Sequence, residues 1–215
     1  MPVDGPLYPV NLRLDGRRCL VVGGGAVATR KVLGLLEADA IVHVIATTVA
    51  PAIRALANEG RRVTWDERPY RPGDLDSYRL VVTTTHDPAV NRQVFDEGEA
   101  RGIWVNSADD PDNCSFTLPS RIRQGSLLVT FATGGRSPAL ATWLRRRFSD
   151  EFGPEYATLV DMLAVEREDI RAAGGSTEGL DWQGALDSGM LDLIREGHLA
   201  EAKERLQACL SSSSD

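Results

Sequence analysis

From Arg17 to Val105, short runs of β-branched and aliphatic residues alternate with stretches whose apolar positions recur every three or four residues. "RCLVVG" reads as a strand, and Ala28, Val32, Leu35 and Leu36 then fall at i, i+4, i+7 and i+8, one face of a helix. "AIVHVIA" predicts a second strand and "TVAPAIRALANEG" a short helix stopped by Gly60. "RRVTW" is a weaker strand and "YRLVVTTT" a stronger one. Asp87 before Pro88 predicts an N-cap with proline at the first helical position, opening a helix to about Arg101, and "GIWVNSA" closes the series as a strand. Such alternation predicts an α/β fold, a Rossmann-type parallel sheet with helices on both faces.

Beyond this point the pattern changes. "CSFTLPSRIRQGSLLVTFATGG" reads as two extended segments joined at Gln124-Gly125, a hairpin rather than a crossover. Ser137-Pro138 then starts a helix carrying Leu140, Trp143, Leu144 and Phe148. From Glu151 onward the chain reads as helical, broken by a loop at "AAGGSTEG", with short amphipathic segments near Met190–Glu196 and Leu199–Leu210 and a frayed "SSSSD" tail. The expected division is residues 1–112, 113–150 and 151–215.

Composition narrows the classes. With 215 residues and 42% hydrophobic content the chain can bury a real core. A formal net charge of −7 argues against a general nucleic-acid binder and requires a local basic patch for any polyanionic ligand. No run of about 18 apolar residues occurs and "MPVDGPLYPVNL" lacks signal-peptide order, so no membrane association and a cytoplasmic location are expected. Cys19, Cys114 and Cys209 are odd in number and lack metal-ligand spacing; they read as buried or incidental thiols, and no metal site is expected. His43, within the second strand, reads as a packed core residue, and His198 as structural. His86, at a strand end, is a candidate neighbour of a cofactor.

The candidate chemistry begins at "VVGGGAVA". Gly23, Gly25 and Ala28 satisfy G-x-G-x-x-[GA] directly after a strand and at the opening of a helix. The first glycine permits the tight turn, Gly25 lets a pyrophosphate approach the backbone, and Ala28 lets helix and strand pack closely. The competing reading is a structural turn in an unrelated α/β fold. No acid ends the second strand; Ala46, Thr47 and Thr48 stand there, and the nearest downstream arginine is Arg54 on the next helix, which favours NAD over NADP. Asp39, in "EADA", occupies a helix end where glycine is preferred for a left-handed backbone.

Between Asn113 and Ser149 there is no Asp or Glu, while Arg121, Arg123, Arg136, Arg145, Arg146 and Arg147 all fall there. This asymmetry suits a ligand with several carboxylates or phosphates. For Arg145, Arg146 and Arg147, complementing a helix dipole is an equal explanation. Just upstream, "NSADDPDNCSF" puts Asp109 and Asp110 beyond the last parallel strand, where ligands of open α/β sheets sit. A turn built by Asp and Pro is the alternative.

"VVGGGAVATRK" (Val21–Lys31), "VNSADDPDNCSFTLPS" (Val105–Ser120) and "TGGRSPALATWLRR" (Thr133–Arg146) resemble, in order, the siroheme synthase N-terminal family of precorrin-2 dehydrogenases, some of which are also sirohydrochlorin ferrochelatases. The resemblance, over about residues 7 to 150, implies an NAD-binding Rossmann domain, a small dimerisation and tetrapyrrole-site region and a helical C-terminal region, in a homodimer with its active site between domains. It implies Asp109 as the catalytic group and Ser137 beside the tetrapyrrole, in a position phosphorylated in some relatives. Cofactor contacts would come from Gly23, Gly24, Gly25, Ala26, Val27, Thr47 and Thr48. Arg121, Arg123 and Arg136 are the matching substrate-binding candidates, because precorrin-2 carries eight carboxylates. The implied reaction is NAD-dependent oxidation of precorrin-2 to sirohydrochlorin, with ferrous iron as a further substrate if the chain also inserts metal. The alternatives are a non-catalytic sensor or carrier of NAD and a tetrapyrrole, and an NAD(P)-gated subunit of the potassium-channel regulatory kind.

Overall fold

A computed structural model describes residues 6–211; the first five residues and Ser212–Asp215 of the expected frayed tail lie outside the described part. The chain forms two compact units, Met1–Leu118 with Gly134–Arg136, and Pro119–Thr133 with Ser137–Asp215.

The first unit is built on strands β1 (Arg18–Val22), β2 (Ile41–Ala46), β3 (Val63–Glu67), β4 (Leu80–Thr83) and β5 (Trp104–Ser107). They pair in the order β3-β2-β1-β4-β5, every pair parallel. Strand alternation sends their side chains to two cores. Cys19, Val21, Val42, Val44 and Val82 pack with Ala28, Val32, Leu35 and Leu36 of α1 (Ala26–Leu36) and Ile53 of α2 (Pro51–Asn58). Leu20, Val22, Ile45, Val81 and Val105 pack on the other face with Val94 of α3 (Pro88–Arg101). The expected α/β Rossmann-type fold is thus the observed one, and its helices do cover both faces. The crossover from β3 to β4 contains no helix; Leu75 and Tyr78 of that loop fill the space.

Local signals explain the boundaries. Asp87 caps α3 by accepting from Ala89 N at 2.8 Å, with Pro88 at the first helical position, and Gly102 ends the helix in a left-handed conformation. Asp39 has φ +57°, the left-handed position anticipated from the sequence. Its carbonyl accepts from Gly16 N at 3.0 Å, tying the end of α1 to the turn before β1.

The second unit begins with the hairpin β6 (Ser120–Gln124) and β7 (Leu127–Phe131), antiparallel with Gln124 opposite Leu127. The extended run from Cys114 becomes a strand only at Ser120, because Pro111–Asn113 forms a short 3-10 turn and Cys114 makes a single bridge to Asn106. Next come α4 (Pro138–Phe148) and α5 (Glu155–Ala172), joined by an aromatic series in which Phe131 stacks on Phe148 at 5.9 Å and Phe152 meets Tyr156 at 5.3 Å. After the expected loop, α6 (Trp182–Asp187), α7 (Met190–Arg195) and α8 (Leu199–Ser211) close around Leu159, Ala185, Met190, Ala202 and Leu206.

Candidate functional site

The order β3-β2-β1-β4-β5 puts the topological switch between β1 and β4: the chain leaves β1 toward one edge and returns at β4 toward the other. Crevices for ligands open at the carboxyl ends beside such a switch. The loop after β1 is the glycine sequence. Gly23 has φ +117°, and a Cβ there would stand 2.4 Å from Thr84 Oγ1, so the residue must lack a side chain on both counts. A Cβ on Gly24 would meet the Thr48 carbonyl oxygen at 2.1 Å. The same two loops are tied by Ala50 N donating to Gly24 O at 2.8 Å. Gly24 is therefore required by packing against the β2–α2 loop, a constraint that the fingerprint spacing does not express.

Gly25 differs. Its φ of −87° is ordinary, and a Cβ would meet nothing within 4 Å. Nothing among the described residues explains a glycine there, whereas close approach of a ligand does. Gly25 is the N-cap of α1, and the N–H groups of Ala26, Val27 and Ala28 in the first turn have no acceptor within the helix. With the positive end of the helix dipole they form a seat for a pyrophosphate. Ala28 is fully buried against the sheet, as its place in the pattern requires. Thr47 and Thr48 are exposed just beyond β2, available to a ribose; Arg54 is engaged with Glu67 at 2.5 Å. These residues fit a dinucleotide.

The loop after β4 contributes residues that sequence reasoning missed. Thr83, Thr85 and Asn91 form a hydrogen-bonded group, with Thr85 Oγ1 donating to Asn91 Oδ1 at 2.7 Å and Asn91 Nδ2 donating to Thr85 O at 3.0 Å. The group fixes the turn from β4 into α3; "TTT" followed by an asparagine inside an apolar helix face was the available signal. His86 is exposed in this loop. His43 departs from the expected core role. It is half-buried, its Nδ1 pairs with Thr64 Oγ1 at 2.8 Å, and its ring stacks on Tyr78, because imidazole keeps polar partners at the sheet surface. His198 is exposed next to Glu196.

Beyond β5 the two adjacent aspartates part ways. Asp110 builds the turn: its carboxylate accepts from Asp112 N at 3.1 Å and Asn113 Nδ2 at 2.8 Å. Cys114 holds the same turn from the other side, its Sγ accepting from Ser107 N at 3.2 Å and lying 3.3 Å from the Ser107 and Asp110 carbonyls. Burial pushes this thiol's pKa up, so it stays protonated as a donor. Asp109 is exposed, and its carboxylate has no partner among the described residues. Strand register sets its place: Val22, Thr83 and Ser107 are successive partners across β1, β4 and β5. At ~4.8 Å per strand, the end of β5 lies ~10 Å from the end of β1 that carries the glycine loop.

The second unit holds Arg121, Arg123, Ser137 and the α4 arginines, whereas Arg136 belongs to the first unit. Arg121 and Arg123 are exposed on one side of β6, with Ile122 buried on the other. Ser137 caps α4, its Oγ accepting from Leu140 N at 3.2 Å while its N–H donates to Thr133 Oγ1 at 3.1 Å. Arg145, Arg146 and Arg147 fill the last turn of α4, as dipole complementarity requires, and Arg147 lies over Trp143 at 5.5 Å. Arg136 is exposed. No group of three or more His, Cys, Asp or Glu side chains suited to a metal occurs among the described residues, and no described helix is long and apolar enough to cross a membrane.

The fold and its nucleotide-binding segment have counterparts among known proteins. The chain is 32% identical to siroheme synthase of Nitrosomonas eutropha over 210 residues, 97% of this chain and 44% of that one. It is 35% identical to siroheme synthase of Nitrosococcus oceani over 204 residues, 94% of this chain and 43% of that one. It thus spans less than half the length of these curated relatives. The solved structure of SirC, precorrin-2 dehydrogenase, matches with a TM-score of 0.73 and 28% identity, covering 94% of this chain and 98% of that one. Residues 10–120 match the family described as "Putative NAD(P)-binding". The chain belongs to this NAD(P)-binding family, and siroheme synthases are its homologues.

Proposed function

We propose that the protein oxidises precorrin-2 to sirohydrochlorin with NAD⁺, in the cytoplasm and as a homodimer. The observation that carries this reading is the division of labour between Asp109 and Asp110. One carboxylate is consumed by the turn; the other is held out at the carboxyl end of β5 with no protein partner among the described residues. The resemblance to precorrin-2 dehydrogenases supplies the substrate.

In this mechanism Gly25, Ala26 and Val27 would hold the cofactor's pyrophosphate, and Thr47 and Thr48 would meet its ribose. The chemistry that NAD⁺ would supply when bound is a hydride acceptor. Asp109 accepts the accompanying proton, so that one hydride and one proton leave the tetrapyrrole together. Arg121 and Arg123, side by side on β6, and Arg136 pair with substrate carboxylates, with Ser137 near them in sequence. Where iron insertion follows, ferrous iron is a substrate, and the same Asp109 takes pyrrole protons.

One substitution tests the assignment. Asp109→Ala is expected to keep folding and NAD affinity while turnover falls at least ~100-fold. Turnover within a few-fold of the parent enzyme would remove Asp109 from the mechanism.

A further inference from the structure

The amino ends of the same strands, at the opposite edge of the sheet from the glycine loop, carry a second cleft. It has a volume of about 370 Å³ and lies wholly within the first unit, at the small end of the ~300–1,000 Å³ typical of small-molecule sites. Its floor is apolar, with Cys19 and Leu80 buried at the starts of β1 and β4. One wall is Trp104, the first residue of β5, which leaves 47% of its surface exposed. Around the rim stand Arg13, Arg17, Arg18 and Arg79.

This concentration of cations is unusual in a chain of formal net charge −7. Arg18 is engaged by Tyr78, stacking 5.1 Å above its ring and donating to its hydroxyl at 3.4 Å. The guanidinium groups of Arg13, Arg17 and Arg79 have no hydrogen-bond or ion-pair partner among the described residues. Nearby acids are turned to other arginines: Asp15 pairs with Arg62 at 3.6 Å, and Asp76 pairs with Arg101. Three guanidinium groups without a partner among the described residues therefore line a cleft that also holds buried apolar side chains and an exposed indole. A simple solvated surface accounts for the arginines, and it does not account for the indole and floor placed among them.

We propose that this cleft binds a small anion joining one flat ring to two or more phosphate groups, of the nucleoside diphosphate class, at a site separate from the dinucleotide crevice. The planar forks of Arg13, Arg17 and Arg79 suit phosphate oxygens. The exposed indole of Trp104 supplies an aromatic wall for the ring, with Cys19 and Leu80 as the apolar lining beneath it. The volume accommodates one ring system with its phosphates. Nothing in this site depends on the oxidation proposed above.

The test is calorimetric titration of the full chain with ADP while NAD⁺ is saturating, so that the dinucleotide crevice is already filled. One further equivalent is expected to bind. Arg17→Ala and Arg79→Ala should each weaken it by roughly tenfold, the loss of one charge-assisted hydrogen bond. Trp104→Leu should weaken ADP while leaving inorganic pyrophosphate unchanged, and adenosine should bind far more weakly than ADP. NAD⁺ affinity and the thermal midpoint of the arginine variants should match the parent, since both side chains are exposed. Absence of ADP binding in the presence of NAD⁺, or ADP affinity indifferent to Arg17 and Arg79, would overturn the site. Pyrophosphate binding as tightly as ADP would overturn the ring pocket.

Discussion

Gly24 and Gly25 are neighbours with opposite reasons for being glycine, and Gly→Ala at each position separates fold from function. At Gly24 the added methyl would sit 2.1 Å from the Thr48 carbonyl oxygen and 2.9 Å from Ala46 Cβ, against atoms that cannot rotate away. The Ala50 N–H bond to Gly24 O resists sliding of the two loops. Overpacking of this kind costs ~1–3 kcal/mol, which in a chain of this size lowers the thermal midpoint by about 3–10 °C. At Gly25 the methyl meets nothing within 4 Å and the backbone is unstrained. Losing glycine at an N-cap costs at most ~1 kcal/mol, offset by ~0.4–1 kcal/mol from the stiffer unfolded chain. The midpoint should therefore move by less than about 3 °C. Yet that methyl would stand where the pyrophosphate approaches, so NAD⁺ affinity should fall at least ~tenfold, or 1.4 kcal/mol. Thermal unfolding without ligand and an NAD⁺ titration on both variants make the comparison. A Gly25→Ala protein that binds NAD⁺ within about twofold of the parent would show that Gly25 does not face the pyrophosphate, and a Gly24→Ala protein of full stability would show that Gly24 is not held by packing.

Other outcomes follow from the same contacts. Asp110→Ala removes an acceptor for two donors and should destabilise the protein by ~1–2 kcal/mol, whereas Asp109→Ala should leave denaturant unfolding unchanged. Ser137→Ala should lose ~0.5–2 kcal/mol with the α4 cap, while Ser137→Asp keeps a capping oxygen and instead weakens tetrapyrrole binding by like charge, read in parallel unfolding and binding titrations. Burial pushes the Cys19 thiol from 9.0 up to about 11. The folded state thus holds a proton that the unfolded state releases, and this stabilising contribution, full below pH 9, should be lost between about pH 9 and 11. Cys19→Ala should flatten that part of the stability profile.

The sequence carried the parallel sheet because its central strands β1 and β4 are buried on both faces and read as apolar runs, "RCLVV" and "LVVT". Caps were legible for a local reason: Asp87-Pro88 and Ser137-Pro138 act on their own helix turns. Constraints reaching across the chain were not. Gly24 is fixed by Thr48 and Gly23 by Thr84, contacts that no spacing rule contains. The roles of Asp109 and Asp110 were likewise indistinguishable in the string "ADDPD", since only the three-dimensional turn decides which carboxylate it consumes. His43 was misjudged as core because its strand neighbours are apolar, while its ring in fact reaches Thr64 on β3. The basic cleft at the amino ends of the strands gathers arginines from segments more than sixty residues apart, which a scan for local charge runs does not register.

Removal of a hydride from precorrin-2 to NAD⁺ is the reaction we propose for this chain. The purified protein, mixed with precorrin-2 and NAD⁺ without oxygen and followed by absorbance, tests it most directly. NADH is expected to appear in step with the sirohydrochlorin spectrum, and both are expected to be lost in Asp109→Ala. A flat trace from folded protein that binds both ligands would contradict it and make the chain a carrier or sensor instead.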